Sequence, residues 1–117
     1  MYNKCESGAY GEQLAKEYLE RAGYTLLKAN YRALRCEIDL IMLDEDAVVF
    51  VEVKARHKSI YGLGREAVTK AKQRNIIKAA SYYLQINGWF ERNVRFDVAE
   101  VDLDINHVFH IKNAFTL

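Results

Sequence analysis

Hydrophobic positions near the start of the chain recur with the period of a helix. Leu14, Ala15, Tyr18, Leu19 and Ala22 share one face, and Gly23 follows as a stop signal. Ser7 is the expected cap of that helix. The period then changes. Residues 24–30 alternate weakly and read as a strand, Arg32 and Arg35 fall in a short link, and residues 36–43 form a strongly apolar second strand. Asp44, Glu45 and Asp46 make a polar turn before residues 47–55, a β-branched and aromatic run that reads as a third strand. Gly62 and Gly64 mark residues 56–65 as a loop. Residues 66–86 have the length of a second helix, closed by Asn87 and Gly88. Residues 94–103 and 107–115 complete the series as strands. The order α-β-β-β-α-β-β, with one helical crossover, predicts an α/β fold with a mixed sheet flanked by helices.

Composition narrows the function classes. A chain of 117 residues has room for one core, so residues 1–117 read as a single domain. Half the residues are apolar and 12% aromatic, which excludes a disordered spacer. No apolar run is long enough to span a bilayer, so no membrane partner is expected. Lys4 and Glu6 interrupt the N-terminus and leave no secretory h-region. Cys5 and Cys36 form neither a metal-spaced pair nor a disulfide framework. They read as reduced thiols, and the expected location is the cytoplasm.

The net charge of +1 conceals an asymmetry. Residues 53–78 hold eight basic side chains against the single acid Glu66, a local charge of +7 that leaves −6 for the rest. Such a stripe is a candidate phosphate footprint. A solvated helix face behind a loop has the same composition.

The candidate chemistry lies in the hairpin. Asp39 sits among Ile38, Leu40, Ile41 and Met42; Glu52 and Lys54 sit among Val49, Phe50, Val51 and Val53. Charges inside apolar strands are costly to bury unless paired or metal-bound. By simple alternation Glu37, Asp39 and Ile41 share one face, as do Phe50, Glu52 and Lys54. Any even-length turn centred between Glu45 and Asp46 sets Asp39 opposite Glu52, and Glu37 opposite Lys54. Directly opposed residues have Cβ atoms about 4.5–5.5 Å apart. Two carboxylates that close repel unless a cation lies between them, and a hard ion such as Mg²⁺ takes oxygen ligands there. A cross-strand salt network with solvated acids has the same spacing, but apolar residues on both parities indicate a covered sheet with little room for solvated acids.

The helices add two residues. Val68, Ile76, Ala79 and Tyr83 mark the apolar arc of the second helix, and Lys72 falls near its middle. A lysine there must reach an acid or a phosphate, or snorkel. Glu12 lies at the edge of the first helix's apolar stripe, where a charge near a helix N-terminus is the ordinary reading.

Asp39 followed after a hairpin by Glu52-Val53-Lys54 resembles the PD-(D/E)xK nuclease superfamily. The surrounding residues are more specific. Gly8-Ala9-Tyr10-Gly11-Glu12, Gly23-Tyr24, Asn30-Tyr31-Arg32, Glu37 to Ile41, Val49 to Arg56, Tyr61-Gly62, Glu66-Ala67-Val68, Lys72 and Arg95-Phe96-Asp97-Val98 resemble the bacterial YraN family, which is similar to archaeal Holliday junction resolvases. Cys36 stands where that family usually has glycine, and a proline often present near Gly64 is absent.

The resemblance implies a restriction-endonuclease-like core. It also implies Mg²⁺ or Mn²⁺ held by Asp39 and Glu52, a catalytic Lys54, a supporting acid at Glu12 and a homodimer acting on branched DNA. On that reading Lys72 contacts a phosphate, and Arg32, Arg56 and Lys58 bind the nucleic-acid backbone without reading sequence. Arg95 and Asp97 fit a structural ion pair equally well and are left outside the catalytic set. The competing expectations are a non-catalytic nucleic-acid-binding module that retains the fold, and a structural protein with a cross-strand salt network.

Overall fold

The computed structural model describes residues 4–57 and 68–116, with backbone alone for residues 4–7. The elements are α1 (Lys4–Arg21), β1 (Thr25–Ala33), β2 (Cys36–Asp44), β3 (Ala47–Arg56), α2 (Lys70–Ile86), β4 (Asn93–Asp102) and β5 (His107–Phe115). They form one five-stranded sheet in sequence order. β3 pairs with β4 in parallel and every other neighbouring pair is antiparallel. The fold is therefore mixed α/β with a central sheet, and α2 is the crossover that a parallel pair requires.

Each face of the sheet is covered by one helix. Ala15 and Leu19 of α1 pack on Leu40, Met42, Val49, Val51, Ala99 and Val101. Ile76, Ala79 and Ala80 of α2 pack on Ile41, Val48, Phe50, Phe96 and Val98. β2 to β4 are thus apolar on both faces, as a covered central sheet demands. Phe50, stacked on Phe96 at 5.5 Å, is wholly buried; a large side chain in that state contributes about 1.5–3 kcal/mol.

Both helices end in the manner their glycines announce. Gly23 (φ +100°) lets its own N–H reach Glu20 O and the Tyr24 N–H reach Leu19 O; Gly88 (φ +67°) does the same through Gln85 O and Leu84 O. The starts differ from expectation. α1 already runs from Lys4, so Ser7 lies inside the helix and does not cap it. α2 begins at Lys70, because the Thr69 hydroxyl accepts the Lys72 N–H at 3.1 Å and caps the helix there. Of the expected earlier start, Glu66 and Ala67 lie outside the described residues, as does most of the glycine-containing loop. Arg32 is not in a link, because β1 runs on through it to Ala33.

Candidate active site

The two-residue turn at Glu45 and Asp46 sets the hairpin register. Asp44 pairs with Ala47, and the series runs to Leu40 opposite Val51. Carried one step further, that register would set Asp39 opposite Glu52, the positions that the centred turn predicts. Backbone pairing stops just before them. Instead of a main-chain partner, the Val53 N–H donates to Oδ2 of Asp39 at 2.8 Å.

Simple alternation fails at Asp39. Ile38 packs on the α2 side, whereas Leu40 and Met42 pack on the α1 side. The ladder with β1 steps from Ala29↔Leu40 to Tyr31↔Ile38, passing over Asn30 and Asp39, and Asn30 has φ 52°. The register is the same on both sides of this unpaired step, and the break in alternation at Asp39 coincides with it. Asp39 therefore does not share a simple face with Glu37 and Ile41. It lines a cleft of about 470 Å³ with Glu12, Val53, Lys54, Arg56 and His57.

Glu52 is buried, at 4% exposure, on the α2 side. Its Oε2 lies 3.6 Å from Lys72 Nζ and 3.7 Å from Lys54 Nζ, while its Oε1 has no hydrogen-bond partner. Burial, together with the charge of Asp39 and a hydrogen bond shared with it, raises Glu52 from 4.5 to about 8; the two lysines pull it down. Lys72 thus reaches an acid, one of the outcomes that its place in the apolar arc left open, with its side chain half-exposed.

Glu12 joins the site through a close helix–strand contact. A Cβ at Gly11 would lie 2.2 Å from the Ala55 Cβ, so only glycine lets α1 approach β3 this closely. Burial and the charges of Asp39 and Glu37 raise Glu12 from 4.5 to about 7, against a hydrogen bond from Asn30. Glu12, Asp39, Glu52, Lys54 and Lys72 are therefore brought together. The expected contact between Glu37 and Lys54 is absent: Glu37 pairs with Arg32 on the neighbouring strand at 3.7 Å. Arg32 lines a separate hollow with Arg35, Cys36 and Glu37 and does not reach the cleft, while Arg56 does. Lys58 lies outside the described residues. Also among the described residues, no three His, Cys, Asp or Glu side chains are grouped to hold a metal by themselves, and no helix is long and apolar enough to cross a membrane.

Two features gave no sequence signal, and a third, the Arg95–Asp97 pair, was legible only in part. His57, at the cleft, bonds through Nδ1 to Asp104 at 2.6 Å, a partner far along the chain. Glu100 is fully buried beside Lys54 in the β3–β4 register, with no hydrogen-bond partner for either carboxylate oxygen. Asp97 is held by Arg95 at 2.9 and 3.0 Å, by His110 at 2.7 Å and by the Asn113 N–H at 2.9 Å. Arg95 also donates to Asp44 and to the Tyr24 hydroxyl. The Arg95–Asp97 pair is thus structural and wider than expected, because His110 belongs to it.

A sequence profile of the uncharacterised protein family UPF0102 matches residues 11–101. Among similar proteins, a UPF0102 protein of Chlorobium chlorochromatii is 47% identical over 95% of this chain and 92% of its own. One from Syntrophus aciditrophicus is 44% identical over 100% of this chain and 94% of its own. One from Clostridium perfringens (strain 13) is 42% identical over 90% and 85%.

Proposed function

This chain belongs to the UPF0102 family, and we propose that it is a metal-dependent endonuclease of the PD-(D/E)xK type, hydrolysing phosphodiester bonds in DNA. Branched, Holliday-junction-like DNA is its substrate class, a homodimer its working form, the cytoplasm its location and a restriction-endonuclease-like core its fold. One observation carries the reading: Asp39 and Glu52 meet at the end of the β2–β3 ladder with both Lys54 and Lys72 on the buried carboxylate.

The donor set suits a hard divalent cation. Glu52 Oε1 is buried and unpartnered, and carboxylate oxygens are the ligands that Mg²⁺ and Mn²⁺ take. Asp39 and Glu52 would hold the ion, with the Val53 carbonyl beside them. When bound, such an ion supplies a Lewis acid for the scissile phosphate and acidifies water.

The chain's own groups do the remainder. The Val53 N–H fixes the Asp39 carboxylate. Lys54 lines the cleft and is placed to stabilise charge that builds on the phosphate. Lys72 offsets the Glu52 charge and supplies a second cation for a neighbouring phosphate. Glu12, raised to about 7, can take a proton from water and return it near neutral pH. Arg56 at the cleft suits a backbone phosphate, with Arg32 as a more distant contact.

A non-catalytic nucleic-acid-binding module is favoured by a different observation, the lack of a three-residue metal group among the described residues. Cleavage assays over branched, linear and single-stranded DNA with Mg²⁺ or Mn²⁺ separate the two. The expected result is metal-dependent cleavage, lost in Glu52→Gln, and a melting temperature raised by Mn²⁺. DNA binding with neither cleavage nor a thermal shift establishes the binding module instead.

A further inference from the structure

The two helices of this protein distribute charge differently. α1 carries both signs: Lys16 pairs with Glu20 one turn away at 3.0 Å, and Arg21 sits in the last turn, where a cation complements the helix dipole. α2 does not. Among its 17 residues there is no acid, its first turn holds Lys70 and Lys72, and its last turn holds no base. Cations at a helix N-terminus oppose the dipole.

Lys72 is accounted for by Glu52. Lys70, Arg74 and Lys78 are not. They recur at every fourth residue and are all exposed, on the ridge that points away from buried Ile76, Ala79 and Ala80. Like charges one turn apart destabilise a helix. Among the described residues none of the three has an acidic partner within ion-pair distance. The protein therefore keeps a row of cations that weakens its own helix, beginning two residues from the lysine that reaches the candidate active site.

We propose that Lys70, Arg74 and Lys78 form a track for one strand of a nucleic-acid backbone, leading away from the Asp39–Glu52 site along the outer face of α2. The track rests on the nuclease reading for its direction and for the nature of its polyanion. The row spans about 12 Å at 1.5 Å rise per residue. That length matches three to four phosphates of one strand, at about 3.4 Å each along a duplex. A polyanion along the row removes both penalties at once, since it neutralises the mutual repulsion and sits favourably against the helix N-terminus. The exposed residues beside it, Ala71, Asn75 and Ser81, are small or polar, and the exposed apolar side chains of α2, Tyr82 and Ile86, lie beyond Lys78 at the far end of the helix.

The test measures binding of the full chain to a fluorescent duplex and to a four-way junction, in EDTA, as a function of salt. Lys70→Gln, Arg74→Gln and Lys78→Gln are each expected to reduce the slope of log K against log salt by about 1, and the triple variant by about 2–3. Lys112→Gln, on an exposed position of β5, leaves the slope unchanged. Lys70→Glu provides a second readout. It is expected to raise the melting temperature by about 1–4 °C, from the favourable acid at the helix N-terminus, while weakening DNA binding. A solvated face predicts the same thermal gain with binding unchanged, and that result overturns the track. So does a triple variant that binds DNA like the wild type but loses binding to vesicles of equal parts phosphatidylserine and phosphatidylcholine. Because binding is read without metal, absent cleavage with an intact salt effect refutes the nuclease reading alone. Intact cleavage with an unchanged slope refutes the track alone.

Discussion

Oδ2 of Asp39 accepts the Val53 N–H at 2.8 Å, in the place where a main-chain carbonyl of β2 would otherwise continue the ladder. A carboxylate assigned to the reaction is therefore also part of the hairpin. Asp39→Asn keeps an acceptor at that position, so its melting temperature is expected to stay near wild type while cleavage is lost. Asp39→Ala is expected to lose cleavage and about 1 kcal/mol of stability, the scale of one hydrogen bond. Thermal unfolding and single-turnover cleavage of the two variants check this. Cleavage by Asp39→Asn at the wild-type rate would remove Asp39 from the site.

Lys72 and Glu52 are separated by 3.6 Å, and the lysine pulls against the burial that raises the acid. Lys72→Met is expected to reduce single-turnover cleavage at saturating metal by about 10²-fold or more, the effect of losing one charge-stabilising donor. Without metal, it is expected to lower the melting temperature more at alkaline than at mildly acidic pH, because only ionised Glu52 needs the lysine. A rate within a few-fold of wild type would leave Lys72 a snorkelling residue only.

Glu12 and Glu52 carry folded values of about 7 and about 8, above their ordinary 4.5. Between those limits the native state retains protons that the unfolded chain has released. Stability from these groups is thus greatest below 4.5 and falls as pH rises through 7 and 8. Asp97 acts in the opposite sense. Despite its burial, the bonds from His110, Arg95 and Asn113 hold it below 3.8, so its contribution is present above that value and lost in stronger acid. The metal-free protein is expected to melt higher near about pH 5 than near about pH 8.5. The double variant Glu12→Gln, Glu52→Gln flattens this dependence, and Mg²⁺ restores stability at the alkaline end. Thermal scans in EDTA across that range decide it; a wild-type profile as flat as the double variant's would contradict the assignment.

Asp97 and Glu100 are both fully buried on β4 but differ in their partners. Asp97 satisfies Arg95, His110 and the Asn113 N–H, whereas neither oxygen of Glu100 has a hydrogen-bond partner. Asp97→Ala leaves those three donors stranded and is expected to cost about 3–5 kcal/mol. Glu100→Leu removes a buried polar group that nothing compensates and is expected to leave the melting temperature equal or higher. Denaturant unfolding of the pair checks the contrast in sign. A loss in Glu100→Leu as large as in Asp97→Ala would show that Glu100 has a structural partner.

What the sequence by itself determined is local and periodic. Alternation with a two-residue turn centred between Glu45 and Asp46 leaves one register for β2 and β3, so the ladder as far as Leu40 opposite Val51, with Asp39 and Glu52 just beyond its end, was legible. The helical period put Lys72 on the side of α2 that faces the sheet, and Gly23 and Gly88 marked both helix ends, since each element has few ways to satisfy its own backbone. Tertiary structure decided the rest. It broke the alternation at Asp39, paired Glu37 with Arg32 in place of Lys54, and brought Glu12 to the site through the Gly11–Ala55 contact. It also gave Asp97 a histidine from the next strand and set His57 against Asp104. These relationships join residues on different elements, and their distances follow from how helices pack on a twisted sheet. Periodicity within one element indicates which face a side chain takes, but not which side chain of another element it will meet there.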